Sequence, residues 1–163
     1  MFKILKSLCV IFVVSLGTST LADEVILTVS GDVGPNGDQN TWVFDRAALE
    51  ALPSQLIETT TIWTEGRQSF EGVSLDVLLN HVQAEEGTIR AVALNDYAVT
   101  IPSSDAIEGG PIVAYSRNSR AMSVRDKGPL WIIYPYDANE AYQSEEIYAR
   151  SIWQLNRLEV VAQ

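Results

Sequence analysis

The stretch WTEGRQSFEGVSLDVLL, residues 63–79, passes from a polar segment with glycines into an apolar one of helical spacing. Leu75, Val77, Leu78, Leu79 and Val82 recur at the intervals of one helix face, so Phe70 to Val82 reads as a loop leading into a helix. His81, the single histidine, stands at the end of that pattern, where the negative end of the helix dipole favours it. Just upstream, Ile57 to Trp63 is rich in β-branched residues and reads as a strand that Trp63 ends.

Further toward the N-terminus, Asp45 can cap a short helix through Leu49 and Leu52, which Pro53 and Ser54 end. Val25, Leu27 and Val29 alternate as a strand does, and the Gly, Pro and Asn of Gly31 to Gly37 mark an edge hairpin or loop. Toward the C-terminus, Arg90 to Leu94, Ala98 to Ile101, Ile112 to Tyr115 and Leu130 to Tyr134 read as strands. Gln143 to Ile152 reads as a helix and Leu155 to Val161 as a closing strand. Strands interleaved with short helices, without regular long crossovers, predict an α+β fold: a mixed β-sheet with short packed helices. No internal repeat or linker divides it.

The first 22 residues have the parts of a secretion signal: Lys3 and Lys6, an apolar stretch from Leu8 to Leu16, and Thr20-Leu21-Ala22 for cleavage after Ala22. The expectation is a periplasmic protein whose residues 23–163 form one domain, with no direct membrane insertion. Both signal lysines leave with the leader, so 9 basic against 21 acidic side chains remain, a charge of −12. Such a surface repels nucleic acid. Cys9, the single cysteine, leaves too, which removes disulfides, thiolate nucleophiles and cysteine metal ligands from the mature chain.

Four segments in order resemble the molybdopterin-binding domain of the sulfite oxidase family: residues 63–79, LNDYAVTIP (94–102), the block from Ile112 to Pro135 holding YSRNSRAMSVRDKGPLWIIYP, and the C-terminal YARSIWQLNRLEV. Asn118-Ser119-Arg120-Ala121-Met122 stands where that family often has N-G-x-x-L, a departure at a hairpin turn. In catalytic members a cysteine on the strand before F-x-G-V-x-L ligates molybdenum; here that strand reads Glu58-Thr59-Thr60-Thr61-Ile62-Trp63. A threonine hydroxyl is a hard, un-ionised donor and no substitute for a thiolate. The resemblance therefore implies no catalytic residues, no metal and no tightly bound catalytic cofactor. It implies a pterin ligand, as in the secreted PruR-type periplasmic pterin-binding proteins, whose partner is a membrane-bound cyclic-di-GMP enzyme.

A pterin needs a flat apolar wall, acceptors for its amino and N3 hydrogens, and donors for its carbonyl. Trp63 offers such a wall, or is core. Asn95-Asp96-Tyr97 offers acceptors, Asp96 first, or is a turn, with Tyr97 pointing inward as a structural residue. Arg117, Arg120, Arg125 and Lys127 gather much of the basic charge into one short segment. Arg117 leads them as a ligand contact, the alternative being a solvated turn. Arg150 and Ser151 can donate to the ligand, and Trp153 is either wall or core. Asp137, Glu140, Glu145 and Glu146 lack calcium-loop spacing and read as a solvated acidic face. Beside Tyr134, Tyr136 and Tyr142 that face can dock a partner.

The leading expectation is a non-catalytic pterin-binding protein that relays ligand state to an inner-membrane sensor, either a cyclic-di-GMP enzyme or a histidine kinase. The alternatives are a molybdopterin-dependent oxidoreductase subunit and a ligand-free partner of a membrane complex.

Overall fold

The computed structural model describes residues 24–37 and 39–163. The expected leader, residues 1–22, lies outside the described residues. Among the described residues, no helix is long and apolar enough to cross a membrane.

The elements are β1 (Leu27–Gly31), β2 (Thr41–Phe44), α1 (Arg46–Glu50), β3 (Ser54–Thr59), β4 (Gln68–Ser74), α2 (Leu75–His81), β5 (Gly87–Ala93), β6 (Ala98–Pro102), β7 (Ile112–Arg117), β8 (Arg120–Ala121), β9 (Leu130–Ile133), α3 (Glu145–Arg150) and β10 (Trp153–Ala162). The sheet runs β2-β1-β10-β9-β7-β4-β3, with β5 also on β10, β6 on β5 and β8 on β7. Among the described residues only β1 and β10 pair in parallel, so the sheet is mixed, as expected. β1 and β2 form the N-terminal hairpin; β2 is its outer strand, while β1 lies inside the sheet.

The core sits where β7 and β9 meet. Residues 112–116 and 130–133 are buried without alternation, the mark of strands covered on both faces. Trp131, Phe70, Ile112 and Leu130 are wholly inaccessible to solvent. The helices follow local chemistry. Asp45 accepts from the Ala48 N–H at 2.7 Å to start α1, and Leu75, Leu78 and Leu79 bury one face of α2. Ser144 caps α3, which places Glu145 and Glu146 in its first turn and Arg150 in its last, each matched to the dipole.

Two expectations around the opening stretch are corrected. Phe70 begins no loop: residues 68–74 form β4, paired with β3 on one side and β7 on the other. Tertiary pairing overrides the weak strand character of Glu71 and Gly72. Nor does Trp63 end a strand. β3 stops at Thr59, because the Asp137 carboxylate takes both the Thr60 N–H (2.9 Å) and the Thr60 hydroxyl (2.6 Å). Trp63 thus sits in the β3–β4 loop.

The hairpin turn that departs from N-G-x-x-L does form. Asn118 and Ser119 both have positive φ, 51° and 61°, as a two-residue turn of this twist requires. Asn118 is held there by bonds to β4: its Oδ1 accepts from the Ser69 N–H at 3.0 Å and its Nδ2 donates to Gln68 Oε1 at 2.8 Å.

β10 changes partners along its length. Trp153 and Leu155 pair with β9, residues from Leu155 onward pair with β5, and Thr28 to Gly31 of β1 pair with Arg157 to Val160. The register slips between Trp153 and Leu155, a bulge centred on Gln154. Such a bulge bends the strand and re-aims its side chains.

Candidate functional site

A cleft of about 350 Å³ opens at this bulge. Four elements converge on it: Trp63 from the β3–β4 loop, Asn95 and Tyr97 from the β5–β6 turn, Tyr148 and Ser151 from the end of α3, and Trp153 and Gln154 from β10.

Trp63 is the hub. Its ring meets Trp131, Tyr148 and Trp153 edge to face at centroid distances of 5.7, 5.8 and 5.8 Å, and Tyr136 at 6.3 Å. It is half-buried, so it belongs to the core cluster and lines the cleft at once. Trp153 is 37% exposed, and the Lys127 ammonium lies 4.4 Å from its ring centroid, within cation–π range.

The loop carrying Trp63 is fixed by hydroxyls and one carboxylate. Trp63 N–H donates to Thr61 Oγ1 (3.1 Å), whose hydroxyl shares a bond with Thr64 (2.8 Å). Asp137 holds Thr60 as described, donates its own N–H to Thr59 Oγ1 (3.1 Å) and pairs with Arg67 at 3.3 Å. Asp137 is exposed, as expected of the acidic face, and these bonds tie it to the loop as well. The Thr60 hydroxyl, then the Thr60 N–H, and more weakly Arg67, hold its carboxyl below the usual carboxylate range.

A group with a depressed folded pKa stabilises fully above its unfolded value and loses that contribution as pH falls through the folded one. Denaturant unfolding between about pH 6 and about pH 2.5 is expected to show a steeper acidic loss for wild type than for Asp137→Asn. Equal slopes would remove Asp137 from the acid response.

The other expected site residues divide. Asn95, Tyr97, Ser151 and Trp153 line the cleft beside Trp63; Asp96, Arg117 and Arg150 do not. Tyr97 does not point inward as a structural residue, being 58% exposed. Asn95 shapes its turn by accepting from the Tyr97 N–H at 3.2 Å. Asp96 has φ 64°, the left-handed residue of a three-residue hairpin loop, and its carboxylate binds Arg157 at 2.7 Å.

Arg117 lies in a separate depression with Asn118, Arg120 and Asp126, which takes Arg117 and Arg120 away from this cleft, while Lys127 of the same basic segment reaches its Trp153 wall. Arg150 is turned to Asp105 (2.9 Å) and Glu146, with its side chain only 17% exposed. The Ser151 hydroxyl is used twice, donating to the Ile147 carbonyl (2.8 Å) and accepting from Tyr136 (2.7 Å), so it is no free ligand donor.

Tyr134 and Tyr136 are also buried, which corrects their reading as a docking face. Burial pushes the Tyr136 phenol up to about 12 against the opposing Ser151 bond, and burial with the adjacent Asp105 pushes Tyr134 further up. Both stay neutral hydrogen-bond donors, Tyr136 to the cleft's Ser151 and Tyr134 to Asp105.

Sequence reasoning missed Tyr148 and Gln154. An aromatic at Tyr148, one helical turn into α3 and shortly before Trp153, was a signal; nothing in the sequence marks Gln154, whose place depends on the bulge.

No family model matches the chain, and no curated protein matches it. Among solved structures the chain is similar to the sulfane dehydrogenase SoxCD from Paracoccus pantotrophus, with a TM-score of 0.60 and 17% identity over 84% of this chain. It spans 38% of that protein's chain. The likeness shows a shared fold, and the α+β expectation, a mixed sheet with few short helices of the sulfite oxidase type, holds.

Proposed function

We propose that this chain is a periplasmic, non-catalytic protein that holds a pterin in the aromatic cleft and presents its liganded state to an inner-membrane sensor, a cyclic-di-GMP enzyme or a histidine kinase. The observation that carries this reading is the cleft itself. Trp63, Tyr97, Tyr148 and Trp153 surround it, no carboxylate lines it, and its volume of about 350 Å³ suits one flat heterocycle.

The donor set does not suit a molybdenum centre. In the segment from Glu58 to Trp63, where the resemblance places the metal-ligating cysteine of catalytic members, Thr60 is committed to Asp137 and Thr61 to Thr64. No thiolate is available there, and hydroxyls are hard, weak donors toward that metal. The organic half of such a cofactor asks only for stacking and hydrogen bonds.

The sensor would read the rim. Leu94, Tyr97, Val124 and Trp153, 46, 58, 51 and 37% exposed, sit on the cleft or on segments bonded to Gln154 beside it. A ligand filling the cleft changes this apolar surface. It biases signalling only if the sensor binds the two states with different affinity.

Calorimetric titration of residues 23–163 with neopterin-type and fully reduced pterins tests the reading: micromolar or tighter binding supports it, and no binding to any pterin sinks it. Arg117→Ala is expected to leave that affinity within about twofold, since surface substitutions away from a site have small effects. A tenfold loss would return the basic hairpin to the site. The likeness to a sulfane dehydrogenase favours a second reading, an oxidoreductase subunit, which molybdenum assayed in protein from its native source would support.

A further inference from the structure

Gln154 lies inside a strand yet has φ 52°, a left-handed backbone that costs any residue with a Cβ. Glycine would adopt it freely and asparagine more readily than glutamine. Three bonds hold it: its N–H donates to the Lys127 carbonyl (3.0 Å), its carbonyl accepts from the Leu94 N–H (2.9 Å), and its Nε2 donates to the Val124 carbonyl (2.8 Å).

The last bond fixes the amide. A carbonyl can only accept, so the NH2 group faces Val124, leaving Oε1 as an oriented acceptor with no partner among the described residues. Of the other polar groups on the cleft, Asn95 Oδ1 takes the Tyr97 N–H and the Ser151 hydroxyl is used in both directions, while the Tyr97 and Tyr148 phenols are weaker acceptors than an amide oxygen.

We infer that Gln154 is the specificity-determining residue of the cleft, its Oε1 accepting an N–H from the amino-substituted edge of a planar 2-amino-4-oxopyrimidine. This rests on the pterin reading of the cleft and names the edge by which such a ligand is recognised. An analogue with an oxygen in place of the 2-amino group would set two acceptors against each other, and a buried mismatch of that kind is rejected more strongly than a missing methylene. The strained backbone has a use on this account, since the bulge re-aims this stretch of β10 and Gln154 lines the aromatic cleft.

The probes are pterin and lumazine, its 2-oxo analogue, titrated calorimetrically into wild type, Gln154→Gly and Gln154→Asn. Wild type is expected to prefer pterin by roughly 10-fold or more. Gln154→Gly and Gln154→Asn relieve the backbone, so they should melt no lower than wild type while losing most of the preference.

A wild-type preference that persists in the glycine and asparagine variants overturns the inference and leaves the cleft reading standing. Glycine and asparagine variants that melt well below wild type make Gln154 a structural residue and overturn it as well. Wild type that binds neither probe removes the cleft reading and this inference together.

Discussion

Gly72→Ala is expected to destabilise the domain by about 3 kcal/mol or more, enough to leave much of it unfolded at physiological temperature. Gly72 lies in β4, between β3 and β7, at the point where β7 bulges so that Tyr115 has no partner in the register. A Cβ there would fall on the Val113 carbonyl oxygen and lie 2.6 Å from the Ala114 Cα. Both are backbone atoms of the buried β7, so no rotamer change can relieve the clash. Strand separation would break the β4–β7 ladder beneath Phe70 and Trp131. Far-UV circular dichroism with a denaturant melt measures it; a change under about 0.5 kcal/mol would mean that β7 yields more easily than a buried central strand should.

Gly72 also shows why part of the fold was hard to read. Phe-Glu-Gly-Val has neither the β-branched density nor the alternation of a strand, and only the flanking strands make it one. Residues 112–116 and 130–133 were legible for the opposite reason: continuous apolar runs bounded by turn residues have few alternatives to a strand covered on both faces. The caps were legible too, because Asp45 acts through a bond three residues along the chain.

The site was legible where aromatic residues cannot avoid one another, and hidden where charges choose distant partners. Three parts of the chain far apart in sequence bring Trp63, Tyr97, and Tyr148 with Trp153 to one cleft, and the tryptophans at least stood out as walls or core. Arg117, Asp96 and Arg150 carried the strongest chemical suggestion and serve elsewhere. Asp96 pairs with Arg157 and Arg150 with Asp105, partners set by tertiary contacts that no local pattern encodes. Asp137 is exposed as read, but its bonds to Thr60 span much of the chain and no local pattern encodes them. Gln154 depends on a register slip, which is a property of two ladders and not of any short segment.

Trp63→Ala should weaken pterin binding on the order of 100-fold, because it removes a wall of the cleft and the hub that positions the others. Its ring touches four aromatic neighbours, and each edge-to-face contact contributes about 0.5–1.5 kcal/mol beyond the area buried. Loss of all four, for a half-buried side chain, is expected to cost about 2–3 kcal/mol of folding stability. Lower affinity alone would therefore not separate a wall from a brace. Trp63→Phe does so: a smaller ring still meets Trp131 and Tyr148 edge to face, so stability should recover more completely than affinity, which depends on the area left to stack on the ligand. The two variants, each melted in denaturant and titrated with the same pterin, give a clear division. If affinity follows stability one for one across both, Trp63 acts only by holding the cleft's shape, and the stacking surface belongs to Trp153 and Tyr97.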